Sequence, residues 1–210
     1  MPFNFLNDYL NEAEPENMGG FDSVAYLCPS RNIKTWPRLA RKPKTDEQVA
    51  VYTGEFECIE GEGFIQIYST PGKTGYSAES QGDTDGKSFA IKGTLFQPSL
   101  GIEAMALARK INNAHGVIIV TDGENNRYAI GTRGRPARFS ASASAGNTAA
   151  DPKGITIEFE CDSHLPGTRY DGPIPLIDGE EIPPIDDPDP ETDPEIDPEL
   201  EDETDDEPET

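Results

Sequence analysis

The chain of 210 residues carries 40 acidic against 17 basic residues, a formal charge of −23, and only 34% of it is hydrophobic. That surplus excludes simple nucleic-acid binding through a basic face, since phosphates are repelled by it. No apolar stretch nears the ~20 residues of a membrane span, and three widely spaced cysteines, Cys28, Cys58 and Cys161, fit reduced thiols better than a disulfide framework.

Residues 1–18 read as a polar N-terminal arm, with a short helix through Phe5, Leu6 and Leu10 and neither the basic nor the apolar region of a secretory leader. Gly19-Gly20 breaks the chain, and Phe21 to Leu27 reads as a first strand. Residues 29–46 form a Pro-punctuated basic connection holding Arg31, Lys34, Arg38, Arg41, Lys42 and Lys44 around Trp36. Strands are expected at 49–52 and 55–60, the second alternating Phe56 and Cys58 with glutamates and turning through Gly61-Glu62-Gly63 into Phe64–Tyr68 as a hairpin. Residues 70–86, with Gly72, Gly75, Gly82 and Gly86, read as a long flexible loop, and 88–96 as a strand.

One helix stands out over 100–113. Leu100, Ala104, Leu107 and Ile111 recur at spacings of four, three and four, which places them on one core-facing stripe, with Ser99 as N-cap and Arg109 and Lys110 in the last turns. Val117–Val120, the most apolar run, reads as a central strand that returns through Asp122-Gly123 as Arg127–Ile130. Residues 138–145 and 155–161 complete the strands, the latter with Ile155, Ile157, Phe159 and Cys161 on one face. The expected fold is mainly β: a sandwich or barrel of roughly seven or eight strands with one packed helix and long loops.

From Pro173 to Thr210 the chain holds 18 acidic residues and 9 prolines and no basic or aromatic residue. Taking those 18 from 40 leaves 22 acidic against 17 basic residues in the body, a charge of −5. The boundaries expected are therefore an arm at 1–18, a β-rich domain at 19–172 and an acidic, extended tail at 173–210.

Catalytic signals are weak. Thr70-Pro71-Gly72-Lys73-Thr74 resembles the end of a phosphate loop, but Ile67 stands where its first glycine is needed and no helix can follow. His115 and His164 have no Cys or His at ligand spacing, and no serine lies in a nucleophile elbow. Glu55, Glu57 and Glu60 alternate with apolar residues as a solvated strand face does, and the acidic tail lacks the Gly-centred spacing of a calcium loop. No enzyme, cofactor or metal is expected. The basic connection has two readings, contact with RNA or DNA and, favoured because the body is acidic overall, pairing with acidic surface on a neighbouring copy through Arg31, Lys34, Trp36, Arg38 and Arg41.

The order of elements adds a resemblance. Gly19-Gly20-Phe21 leads into an early strand and a hairpin through Phe56 to Tyr68; a Gly-rich loop, a strand and the helix Leu100–Asn113 follow. Then come the hairpin Val117–Gly131 with Asp122-Gly123 at its turn and a closing strand, Ile155–Cys161. Over residues 19–172 this resembles the tail-tube class of bacteriophage and injection-machine proteins, and is most similar to structural proteins of Bacteroidetes-type phages. The resemblance implies two sheets plus a helix, a subunit made in the host cytoplasm and built into the virion tail, and self-assembly into stacked rings alongside other tail proteins. It implies a conduit through which DNA passes without being held, and a loop 70–86, with Lys73 and Tyr76, reaching a neighbouring ring. The alternative is an acidic interaction module whose C-terminal segment mimics nucleic acid or docks on a basic partner.

Overall fold

A computed structural model describes residues 19–148 and 150–185. The expected arm with its helix, and the acidic residues from Asp186 onward, lie outside the described residues. In chain order the elements are β1 (Phe21–Pro29), a 3-10 turn (Ser30–Asn32), β2 (Ile33–Thr35), α1 (Asp46–Ala50), β3 (Glu57–Cys58), β4 (Ile65–Tyr68), β5 (Gly75–Gln81), β6 (Ser88–Gln97) and α2 (Ile102–Ile111). There follow β7 (His115–Asp122), β8 (Arg127–Ile130), β9 (Ala137–Ser144), β10 (Gly154–Ser163), β11 (Thr168–Arg169), β12 (Ile174–Pro175) and β13 (Glu181–Ile182). Over the described residues the fold is mainly β: one nine-stranded sheet with two small two-stranded ones and two α-helices.

The large sheet runs β11-β8-β7-β9-β10-β6-β5, with β1 on the other side of β7 and β4 beyond β1. Strand β7 is the keystone. It pairs with β1 along one edge, and with β8 and the start of β9 along the other. Its apolar run is continuous because both its faces are covered. Ile118 and Val120 enter a first core with Leu27, Ile67, Leu95, Phe139, Ile155, Ile157 and Phe159. Val117 and Ile119 enter a second core with Cys28, Phe56, Phe64, Tyr170, Ile174 and Leu176. Beyond β4, the Ser69 hydroxyl accepts from Phe96 N–H at 2.9 Å and Thr70 N–H donates to the Phe96 carbonyl at 2.9 Å, which joins that end of the sheet to β6. Gly131, at φ 109°, ends β8 where a β-carbon would lie 2.5 Å from the Gly116 carbonyl, so no larger residue fits there.

Several expectations are corrected. Residues 46–50 are helical, not a strand: Thr45 caps Gln48 N–H and the Gln48 side chain reaches back to Lys44 N–H, a variant of the capping box. The 55–60/64–68 hairpin does not form. β3 pairs with β2 and β4 with β1, because Phe56 and Phe64 turn into the second core instead of facing each other across a ladder. The flexible loop at 70–86 is a strand over Gly75–Gln81, laid in register along β6 from Gly75↔Thr94 to Gln81↔Ser88. Helix α2 starts later than expected, with Gly101 as N-cap; the Ser99 hydroxyl accepts from Gly101 N–H instead. Its stripe is as read: Ala104 and Ile111 are buried, and Leu100 and Leu107 pack partly against the first core.

The largest correction concerns the C-terminal boundary. Residues 173–185 belong to the folded body. Ile174 and Leu176 are buried, β12 pairs with β13, and Phe64 exchanges backbone hydrogen bonds with Pro175 and Ile177. Proline content concealed an alternating Ile-Pro-Leu segment that fills the second core.

Candidate interaction surfaces

The basic connection lies over the second core. Trp36 is not displayed on it as a free anchor: it is half-buried, edge-on to Phe56 at 5.8 Å between ring centroids. Phe56 is the hub of an aromatic cluster, with Tyr170 at 4.9 Å, Phe64 at 5.4 Å and Tyr52 at 6.5 Å. The cations stay outside. Arg31, Lys34, Arg38 and Arg41 are all exposed, and Lys34 reaches the Glu57 carboxylate at 4.0 Å, a contact that Thr35 shares with a 2.7 Å hydrogen bond. Arg38 is held by a backbone bridge to Thr53.

Lys73 and Tyr76 sit on the far side of the first core. There the outward face of β5, β6, β10 and β9 forms an open cleft of about 890 Å³. Register makes its floor. Ser77, Lys92, Glu160, Arg138 and His115 are opposite one another across five strands, so one row reads hydroxyl, cation, anion, cation, imidazole. Arg138 Nε donates to Glu160 at 3.0 Å and Arg138 Nη2 lies 3.9 Å from Asp162. Both carboxylates and the guanidinium are about half exposed, so these pairs fix geometry more than they stabilise. Lys73 stands at the rim. Tyr76 is turned inward, on Phe21 at 5.4 Å and Tyr128 at 6.0 Å, and burial pushes its hydroxyl up to about 12. Helix residues Leu100, Ala104, Leu107 and Ile111 do not line this cleft.

The residues that single-sequence reading missed are Lys92, Arg138, Glu158 and Glu160. Each is the polar partner in an alternating strand and looks like ordinary wet surface; only the register collects them. Arg127 was missed too. It is 8% exposed and donates to the carbonyls of Pro183 at 2.8 Å and Gly172 at 3.3 Å. Desolvation lowers its pKa, offset by Tyr26, Tyr170 and Asp171.

Among the described residues no group of three or more His, Cys, Asp or Glu could hold a metal ion, and no helix is long and apolar enough to cross a membrane. The phosphate-loop fragment at 70–74 runs into strand β5, so it has no helix N-terminus to aim at a phosphate. Comparison with protein-family models, with curated proteins and with solved structures gives no match. What the geometry offers chemically is polar and ionic contact over a wide concave face, together with a sheet edge.

Proposed function

We propose that this chain is a structural subunit of a phage tail, a tail-tube or related tail component, that assembles with copies of itself into stacked rings around a passage for DNA. The observation that carries this reading is the outer edge of β5. The sheet ends there, and among the described residues the seven-residue strand makes backbone ladder bonds only to β6. Only Glu79 in it is charged, and it contains no proline. An edge this long and this lightly guarded is a liability in a monomer and a joint in an oligomer. Two unlike surfaces support the reading: a cationic strip over one core and a mixed-charge cleft beside the edge, on opposite sides of the first core. Unlike surfaces joined head to tail make heterologous contacts, which close into rings or run on as filaments. The sheet is then read as curling into a sandwich-like barrel, with β5 offered to the next subunit. The acidic surplus suits a conduit, since it repels phosphate and lets a duplex slide.

The test is solution mass with electron microscopy on the full chain. Rings or tubes are expected. The double variant Ser77→Lys with Glu79→Lys places two cations on the exposed side of the edge strand and is expected to keep the native circular dichroism while remaining monomeric. A wild-type chain that stays monomeric at every concentration and ionic strength overturns the reading.

A further inference from the structure

Cys28 and Cys58 are thirty residues apart in the chain, and their Sγ atoms lie 4.0 Å apart. Cys28, next to last in β1, is fully buried; Cys58 sits in β3 and is half-buried. Both are placed by backbone pairing, Cys28 against Val117 and Cys58 against Ile33, so neither depends on a loop for its position. A disulfide needs about 2.05 Å between sulfurs, so the two must approach by about 2 Å. Cys161, buried in the first core, is in the other layer and bonds the Arg135 carbonyl instead.

We propose that Cys28 and Cys58 form a disulfide by exchange with a small-molecule disulfide, which makes this pair a covalent modification site that clamps the basic connection to the central sheet. Cys58 is the entry point. Its thiolate attacks one sulfur of the small disulfide, forming a mixed disulfide and expelling one thiolate. Cys28 then loses its proton and attacks Cys58 Sγ, closing the protein bond and expelling the second thiolate. Two protein thiols are oxidised, one small disulfide is reduced to two thiols, and the two protons leave with them. The hydrogen bond between the two sulfurs lowers the pKa of Cys58 and raises that of Cys28, in accord with attacker and resolver roles. The closed loop contains Arg31, Lys34, Trp36, Arg38 and Arg41, so the bond fixes both ends of the cationic strip.

The experiment incubates the folded full chain with oxidised glutathione, then denatures it and titrates free thiols. One thiol of the three is expected to remain, with a non-reducing peptide map showing Cys28 joined to Cys58 and a mass lower by two hydrogens. The melting temperature should rise by roughly 10 °C over the reduced protein, as closure of a loop of this size predicts. Cys28→Ser should retain glutathione on Cys58, whereas Cys161→Ser should form the internal bond as the parent does. Three free thiols after incubation, a stable glutathione adduct on the parent, or a bond involving Cys161 overturns the proposal.

Discussion

Arg127 shows how a single side chain can close a fold. It stands at the start of β8, yet its guanidinium serves the chain 45 and 56 residues further on, at Gly172 and Pro183. A buried cation is tolerable only when it is hydrogen-bonded, and these two carbonyls supply acceptors. Arg127→Met keeps much of the volume but leaves both acceptors unpaired, and it should lower stability by about 2–3 kcal/mol in a denaturant melt. The tyrosines give the pH dependence. Tyr52, Tyr76 and Tyr170 are each pushed up to about 12, first by burial, from an ordinary value of 10.0. A raised pKa in the folded state means that folding binds protons the unfolded chain has released. The stability they contribute is whole below pH 10 and falls as pH rises toward 12. Unfolding monitored by tyrosine ionisation should therefore be cooperative within that window, and should not begin below it.

At the level of the element, what could be read was whatever repeats locally. The 3.6-residue stripe of α2 and the two-residue alternation of β10 depend on neighbours a few positions away, and both are present as expected. The β7–β8 hairpin was legible because Asp122 makes its own turn, accepting from Glu124 N–H at 2.9 Å and Asn126 N–H at 2.8 Å. Pairings such as β1 with β4 were not legible, since strand partners are chosen by how two cores fill. Short α1 hid behind Val49, Val51 and Tyr52, although Thr45 and Gln48 had the spacing of a cap. The helix α2 gives a sharp contrast. Ile111 is 3% exposed and Ile102 is 90% exposed, one inward and one outward on the same ten residues. Ile111→Ala should cost about 2–4 kcal/mol, while Ile102→Ala should shift stability by less than about 0.5 kcal/mol. Equal effects from the two would mean that the helix does not seat on the first core.

For the whole molecule, the folded body reaches past Gly172 at least as far as Ile185. Composition drew the earlier line, because prolines and acids begin together at Pro173, and burial does not follow composition. A chain ending at Gly172 loses Ile174 and Leu176 from the second core and one of the carbonyls that bind Arg127. It should be destabilised by about 4 kcal/mol or more, two buried aliphatic side chains being removed at once. A chain ending at Ile185 should melt with the full protein. It also sheds 15 of the 18 acidic residues, keeping only Asp178, Glu180 and Glu181. If repulsion among those charges restrains assembly, the chain ending at Ile185 should associate at lower concentration and with weaker salt dependence, measured as critical concentration at two ionic strengths. The opposite shift would make the segment an adhesive. The cleft residues were legible as charges and illegible as a site, because Lys92, Glu160 and Arg138 come from three strands spanning nearly seventy residues of chain.

The keystone position of β7 has a consequence for synthesis. Of the two partners of strand β1, one, β7, is made some ninety residues after it. Both cores rest on β7, and the second also needs Ile174 and Leu176 near the end of the described chain. A nascent chain on the ribosome therefore carries β1 and β4 as an unsupported pair until β7 is translated, and completes its second core only once Ile174 and Leu176 have been made. Loops that must close over such separations are slow to form. Much of the molecule's exposure to misassociation thus falls in the interval before the keystone strand arrives.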